Sequence, residues 1–408
     1  MKETMKPPKE GNSRAGKSPE PQKGARAAKN AEKDRSGSPS ELGPRRYCFE
    51  GDFCSPTASG RIIRELVLGA RSLEMPLAMK QRKTYLHSPD FPVSKFLKSL
   101  AERPPSGQVR IICAPAFSLP EKVDRGIFWA ISGFDPLHPT NVELERLSRP
   151  DRVWVTSPAH LQAFNAKHKD RKVSLLELAV NEKIFSPFAK RPAMLKDNKC
   201  FTFLAVLNPL RRKGLDILLR AYIEEFKPRE PVKLILKMTH MPKLKKNFPY
   251  EIGDLAKRLG ALNRMFAPVE VIAKTVDDDE LAGLMSGCNA LVSVNRAYHT
   301  ALVVRESMAC GLPVIGPKLL KELVGVDEKS AWFFLTKKTS MEAGSLFPDS
   351  PATTVEEPEI VSLRMAMRAA FVQAEQTRER GLAALEISRK WKSWTDLAEK
   401  MRDIFQTG

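Results

Sequence analysis

Two short stretches of this sequence combine residue types and spacing that could do chemistry on a phosphate. The first is Arg211-Arg212-Lys213-Gly214, three cations ahead of a glycine. Ile217, Leu218, Ala221 and Tyr222 follow at helical intervals, so the cations stand where a helix begins. Cations beside the amino end of a helix, with its free amides and positive dipole end, stabilise a departing diphosphate and can take the place of a metal ion there. The second stretch is 290–316, ALVSVNRAYHTALVVRESMACGLPVIG. Its apolar run at 290–294 reads as a buried strand and 295–300 as a polar loop. A helix carrying Glu306 then stops at Gly311, and Pro313 bars its continuation into the strand opened by Val314 and Ile315. Strand, loop, helix and strand make a βαβ unit, whose ligands gather at the carboxyl ends of the strands. The amides near Thr300–Leu302 offer a seat for phosphate. Glu306 is a carboxylate acceptor suited to hydroxyls.

The elements that must position these groups alternate strand and helix. Strands are expected at 46–51, 77–79, 109–113, 127–131, 151–157 and 173–180. A linker is expected at 186–200. A second set of strands is expected at 201–206, 232–238, 269–273, 290–294 and 331–335. Helices are expected at 60–73, with Ile62, Ile63, Leu66, Val67 and Ala70 on one face and Ser59 as N-cap, and at 93–101, 142–147, 158–167, 252–259 and 277–285. From 357 the pattern is helical: 360–374, 376–389 and 393–405. This order implies an α/β protein with two doubly wound parallel sheets, 47–185 and 201–356, each covered by helices.

The phrase RESMACGLPVIG resembles the donor-site signature of retaining GT-B-fold glycosyltransferases of glycosyltransferase family 4. That signature is a Glu, seven residues, a second Glu, then an Ala-Met-Ala-x-Gly-x-Pro-Val-Ile run. The resemblance extends to Arg212-Lys213-Gly214, to Asp151-Arg152-Val153-Trp154-Val155-Thr156-Ser157, to Phe185 and Pro187, and to the C-terminal helices, the last of which usually crosses back onto the first domain. It implies two Rossmann-like domains facing a cleft, and transfer of a hexose-type unit, with retention and without a bound metal, from a nucleoside diphosphate sugar to a glycan, lipid or small-molecule hydroxyl. Lys213 would bind the diphosphate with Arg212, and Asn208 falls at the family's upstream arginine. Glu306 would hold the ribose. Tyr298 stands at the first Glu, the catalytic position against the transferred sugar, and His299 and Ala301 stand at the two loop glycines. Backbone amides over 299–302, including those of Thr300 and Leu302, would assist. The acceptor side would include Gly51, Ser59 and Gly60. Tyr298 and Ala301 also motivate a second expectation, a GT-B nucleotide-binding or scaffold protein without turnover.

The 408 residues suffice for two α/β cores, and the formal charge of +19 points to an anionic partner. Part of that excess lies in 1–46, where twelve Lys and Arg face six Asp and Glu in a stretch with no apolar period. This tail is expected to be disordered and able to touch an acidic membrane. No aromatic and basic recognition motif accompanies it, so no specific nucleic acid is expected. No apolar run has the length of a membrane span and no apolar signal region follows the first basic residues. The six cysteines show no metal-like spacing and read as free thiols in a reducing cytoplasm.

Overall fold

The computed structural model describes residues 46–408 except 84–86, 89, 103–108, 122–126, 132–139, 167–172, 197–198, 209, 239–264, 299, 347–349 and 408. The basic tail, the helix expected at 252–259 and His299 therefore lie outside the described residues.

The first sheet has six parallel strands in the order β2-β1-β3-β4-β5-β6: β1 Tyr47–Gly51, β2 Leu77–Gln81, β3 Val109–Cys113, β4 Ile127–Ile131, β5 Arg152–Val155 and β6 Val173–Leu175. The second follows the order β12-β11-β10-β7-β8-β9: β7 Phe201–Leu207, β8 Val232–Met238, β9 Val269–Ile272, β10 Ala290–Val292, β11 Val314–Pro317 and β12 Ala331–Phe334. In each sheet the order turns back beside a central strand, which is where a crevice opens beyond the carboxyl ends.

Helix α1, Ala58–Ser72, lies against the first sheet through Ile62, Ile63, Leu66 and Val67, all fully buried. Each such side chain contributes about 1.5–3 kcal/mol of burial. Its N-cap is Thr57 rather than Ser59, because the chain turns into helical geometry two residues earlier than the apolar period suggested. The other helices are α2 Lys95–Glu102, α3 Asn141–Leu147, α4 Pro158–Asn165, α5 Leu215–Glu225, α6 Asp278–Gly287, α7 Leu302–Ala309, α8 Leu320–Val324, α9 Ile360–Val372, α10 Ala374–Ser388 and α11 Trp394–Thr407. Helix α11 completes the first core: Trp394, Leu397, Ala398 and Met401 join the cluster of Ile63 and Leu66. A Cβ on Gly69 of α1 would fall 2.5 Å from the Trp394 carbonyl oxygen, so the two helices meet backbone to backbone. Strand β6 is shorter than expected, because beyond Leu175 the apolar residues Leu176, Leu178 and Ala179 pack into that cluster instead of extending the ladder.

Two strands were not foreseen. β13, Thr336–Met341, and β14, Thr353–Pro358, form an antiparallel ribbon after the second sheet. Its apolar contacts are made by Met341, Leu346 and Val355 with Ala297 of the loop after β10. Among the described residues no helix is long and apolar enough to cross a membrane.

Candidate functional site

Strand β7 delivers Asn208 and then a short turn, Arg211–Lys213, that ends in Gly214 with φ +68°. Glycine is required there twice. The left-handed conformation disfavours any Cβ, and a Cβ would lie 2.2 Å from the Val294 carbonyl oxygen. The cationic turn is therefore pressed against the loop that leaves β10. Arg296 fixes the contact. Its backbone N–H donates to the Arg212 carbonyl (2.8 Å), and its guanidinium donates to the Arg211 carbonyl (2.5 Å), to both Asp216 oxygens and to Glu357 of β14. These two carboxylates hold the guanidinium charged, above its usual range, although burial opposes it. Burial opposes the charge on Asp216, but Arg296 holds Asp216 below its ordinary carboxylate value.

The turn 211–214 thus meets the loop that leaves β10. Lys213 is half-buried, Arg211 is exposed and Arg212 is buried, so of the trio Arg212 has least access to a ligand. Asn208 is buried too, and its Oδ1 has no hydrogen-bond partner among the described residues. Such an orphan is costly unless a ligand or water meets it.

Past this corner the loop enters α7. Ala301 is its N-cap with φ +48°, one of two non-glycine residues at positive φ among the described residues. It occupies a glycine position of the resemblance, and an alanine there costs about 1–2 kcal/mol. Ala301→Gly is expected to raise stability by about 0.5–1 kcal/mol in a urea titration, the gain reduced by the freer unfolded chain; a loss would show that the strain lies elsewhere. Thr300 is half-buried, whereas Leu302 is buried in the first sheet's cluster.

Tyr298 lies in the core of the second domain's cluster. It is 2% exposed, packed among Met308, Val304 and Leu204, with its hydroxyl donating to the Ser293 carbonyl and bonded to Ser293 Oγ, each at 2.9 Å. Burial raises its phenol above the usual range. An apolar ring with one satisfied hydroxyl fits this core site, where a carboxylate would be stranded.

Glu306 is likewise fully buried, and its expected role meets an occupant. Arg61 of α1 donates to Glu306 Oε1 at 2.5 Å and to Asp278 Oδ1 of α6 at 2.9 Å. Arg64 of α1 reaches Asp278 Oδ2 at 3.3 Å, and Glu65 accepts from Asn181. Arg61 also lies over the Phe185 ring. Helices from the two sheets are thus joined by a buried cluster of two arginines and three carboxylates. Glu306 Oε2 has no partner among the described residues. Burial pushes the Glu306 carboxyl from 4.5 up to about 7, against the pull of Arg61, while the two arginines hold Asp278 below its ordinary value although burial opposes them.

On the acceptor side, a Cβ on Gly51 would lie 2.6 Å from Ile63 Cδ1, and one on Gly60 would lie 2.3 Å from the Ser55 carbonyl oxygen. Both glycines thus allow close packing between β1, its loop and α1. Ser59 sits half-buried in the first turn of α1.

Arg61, Arg64, Asp278 and Arg296 were missed by sequence reasoning. Arg61, Arg64 and Glu65 stand at i, i+3 and i+4 of α1, the spacing of one helix face, which reads as solvated unless its partner across the crevice is known. The acids opening α6 read as dipole partners; Asp277 does cap that helix, but Asp278 turns to the arginines.

No protein-family model matches this sequence, and no curated protein is significantly similar to it. Solved structures do match. Sucrose-phosphate synthase from Thermosynechococcus elongatus superposes with a TM-score of 0.64 at 17% identity over 89% of this chain and 98% of that one. OtsA does so with a TM-score of 0.58 at 12% identity over 88% and 98%. WaaG, a glycosyltransferase involved in lipopolysaccharide biosynthesis, does so with a TM-score of 0.56 at 12% identity over 89% and 100%. At this identity the likeness is one of fold, and the chain has the GT-B fold.

Proposed function

We propose that this chain transfers a sugar, with retention, from a nucleoside diphosphate sugar to the hydroxyl of an acceptor, holding the donor against the second sheet. The observation that supports this most is the junction of Gly214 with Val294, clamped by Arg296, because it sets Lys213 beside the loop leading to the amino end of α7. A diphosphate in that corner would meet Lys213, the exposed Arg211 and the first amides of α7. Asn208 Oδ1 would take a donor hydrogen bond. As the bond to the anomeric carbon breaks, the charge gathering on the departing diphosphate is what these groups stabilise. Glu306 Oε2, which Arg61 leaves without a partner among the described residues, would take a ribose hydroxyl.

Titration calorimetry with uridine, guanosine and adenosine diphosphates tests the donor site. Lys213→Ala is expected to weaken the preferred nucleotide about tenfold to a hundredfold, the worth of one charge-assisted hydrogen bond. Unchanged affinity in that variant, or no binding by the parent chain, would overturn this reading.

A second reading, a GT-B protein that binds nucleotide without turnover, draws on Tyr298 in the core and Glu306 held by Arg61. Nucleotide bound but never released from any sugar donor would favour it.

A further inference from the structure

The carboxyl ends of β1 and β2 carry a second arrangement that the donor corner does not use. Gly51 and Gln81 end these neighbouring strands in register. Asp52 follows directly, its side chain almost fully buried, and its Oδ1 accepts from Gln81 Nε2 at 2.6 Å and pairs with His87 Nδ1 at 2.9 Å. Gln81 is oriented by that contact: only its amide nitrogen can donate to a carboxylate, so its oxygen points elsewhere. That oxygen is buried and has no partner among the described residues.

His87 is held from both sides. The next residue, Ser88, donates its N–H to the Cys54 carbonyl at 3.2 Å, and Phe91 N–H returns to Ser88 at 3.0 Å. Phe91 is buried under the Arg64 guanidinium, 4.5 Å from the ring centre. Arg64 in turn donates to the Phe53 and Ser55 carbonyls and to Asp278. The loop bearing Asp52 and the loop bearing His87 are thereby tied to each other and, through Arg64, to the cluster around Glu306. Nδ1 lies nearer Asp52 Oδ1, at 2.9 Å, than Gln81 Nε2, at 3.3 Å, so the proton belongs on Nδ1 toward the carboxylate and the imidazole presents Nε2 as its basic nitrogen. The side chain is 16% exposed, enough for one face to reach a ligand. A histidine locked in one orientation by a buried carboxylate is the arrangement of a general base.

We propose that His87 activates the acceptor hydroxyl and that Asp52 positions it, with Gln81 Oε1 accepting from a neighbouring hydroxyl, so that the acceptor is a sugar or other polyol with adjacent hydroxyl groups. This rests on the sugar-transfer reading above. His87 takes the hydroxyl proton at Nε2 as that oxygen bonds to the anomeric carbon on the face the diphosphate leaves, so that configuration is retained. The bond from that carbon to the diphosphate oxygen breaks, and its electron pair leaves with the nucleoside diphosphate. The proton then passes from His87 to solvent.

The test measures nucleoside diphosphate release from uridine, guanosine and adenosine diphosphate glucose, with glycerol as acceptor. His87→Ala is expected to lower kcat by about 10²–10⁴, the range for a lost general base, with the donor KM unchanged. Added imidazole is expected to restore part of the rate in His87→Ala and none in Lys213→Ala. Asp52→Asn should lower kcat with the donor KM unchanged, and Asp52→Glu should recover part of it. An unchanged kcat in His87→Ala, a loss confined to the donor KM, or no rescue by imidazole would overturn the assignment. Nucleotide binding without any release by the parent chain would overturn it too while leaving the donor corner standing. No nucleotide binding at all would remove both.

Discussion

Gly214→Ala is expected to destabilise the protein by about 3 kcal/mol or more, and to abolish the nucleotide binding proposed for the cationic turn. Two costs add. The left-handed backbone, φ +68°, penalises a Cβ by about 1–2 kcal/mol. The Cβ also lands 2.2 Å from the Val294 carbonyl oxygen, which belongs to backbone and cannot rotate away. Gly325 provides the control. It has φ +77°, and a Cβ there would meet nothing within 4 Å, so Gly325→Ala incurs the dihedral cost alone. Urea unfolding midpoints of the two variants should therefore differ, with Gly214→Ala clearly lower. Equal losses would mean that the turn is free to move off β10 and that its junction with Val294 does not organise the site.

The second large effect concerns Arg61. Arg61→Met keeps much of the apolar stem but leaves Glu306 facing no cation, and breaking one side of a buried ion pair costs about 3–5 kcal/mol. The loss depends on pH in a definite sense. The folded-state pKa of Glu306 is raised from 4.5 to about 7, so protonation is favoured by folding. That contribution is complete below pH 4.5 and is lost as the pH climbs through 7. Below that window the carboxyl is neutral and needs Arg61 least. Above it, the carboxylate depends on Arg61. Arg61→Met should thus be far more damaging at pH 8 than at pH 5, and Glu306→Gln should remove most of the difference. Denaturant titrations at both pH values check this. Equal losses at the two pH values would show that the carboxyl is ionised throughout.

What could be read from the sequence was what the chain decides locally. The β-branched runs, the stop at Gly311 ahead of Pro313 and the helical spacing after Gly214 each depend on neighbours a few residues away, and β10, α7, β11 and α5 form where they point. The ribbon of β13 and β14 could not be read. TKKTSM and TTVEEP have no apolar alternation, and the dry contact that holds them is with Ala297, far back in the chain. The site divides in the same way. Lys213 and Gly214 were visible from their place before a helix. Arg61 was not, since a charge among apolar residues looks solvated until a carboxylate from the other sheet is set against it. Tyr298 was placed by register to a motif, whereas its surroundings are set by packing from Leu204, Val304 and Met308.

Helix α11 supplies Trp394, Leu397 and Met401 to the core laid down by β1, β3 and α1. A ribosome therefore makes the entire first sheet, and then the second, before the segment that seals the first has been synthesised. Until then the apolar flank of α1 around Gly69 stays bare, open to chaperones or to aggregation. A chain cut short before Trp394 would leave its earliest-made half incomplete, not its latest.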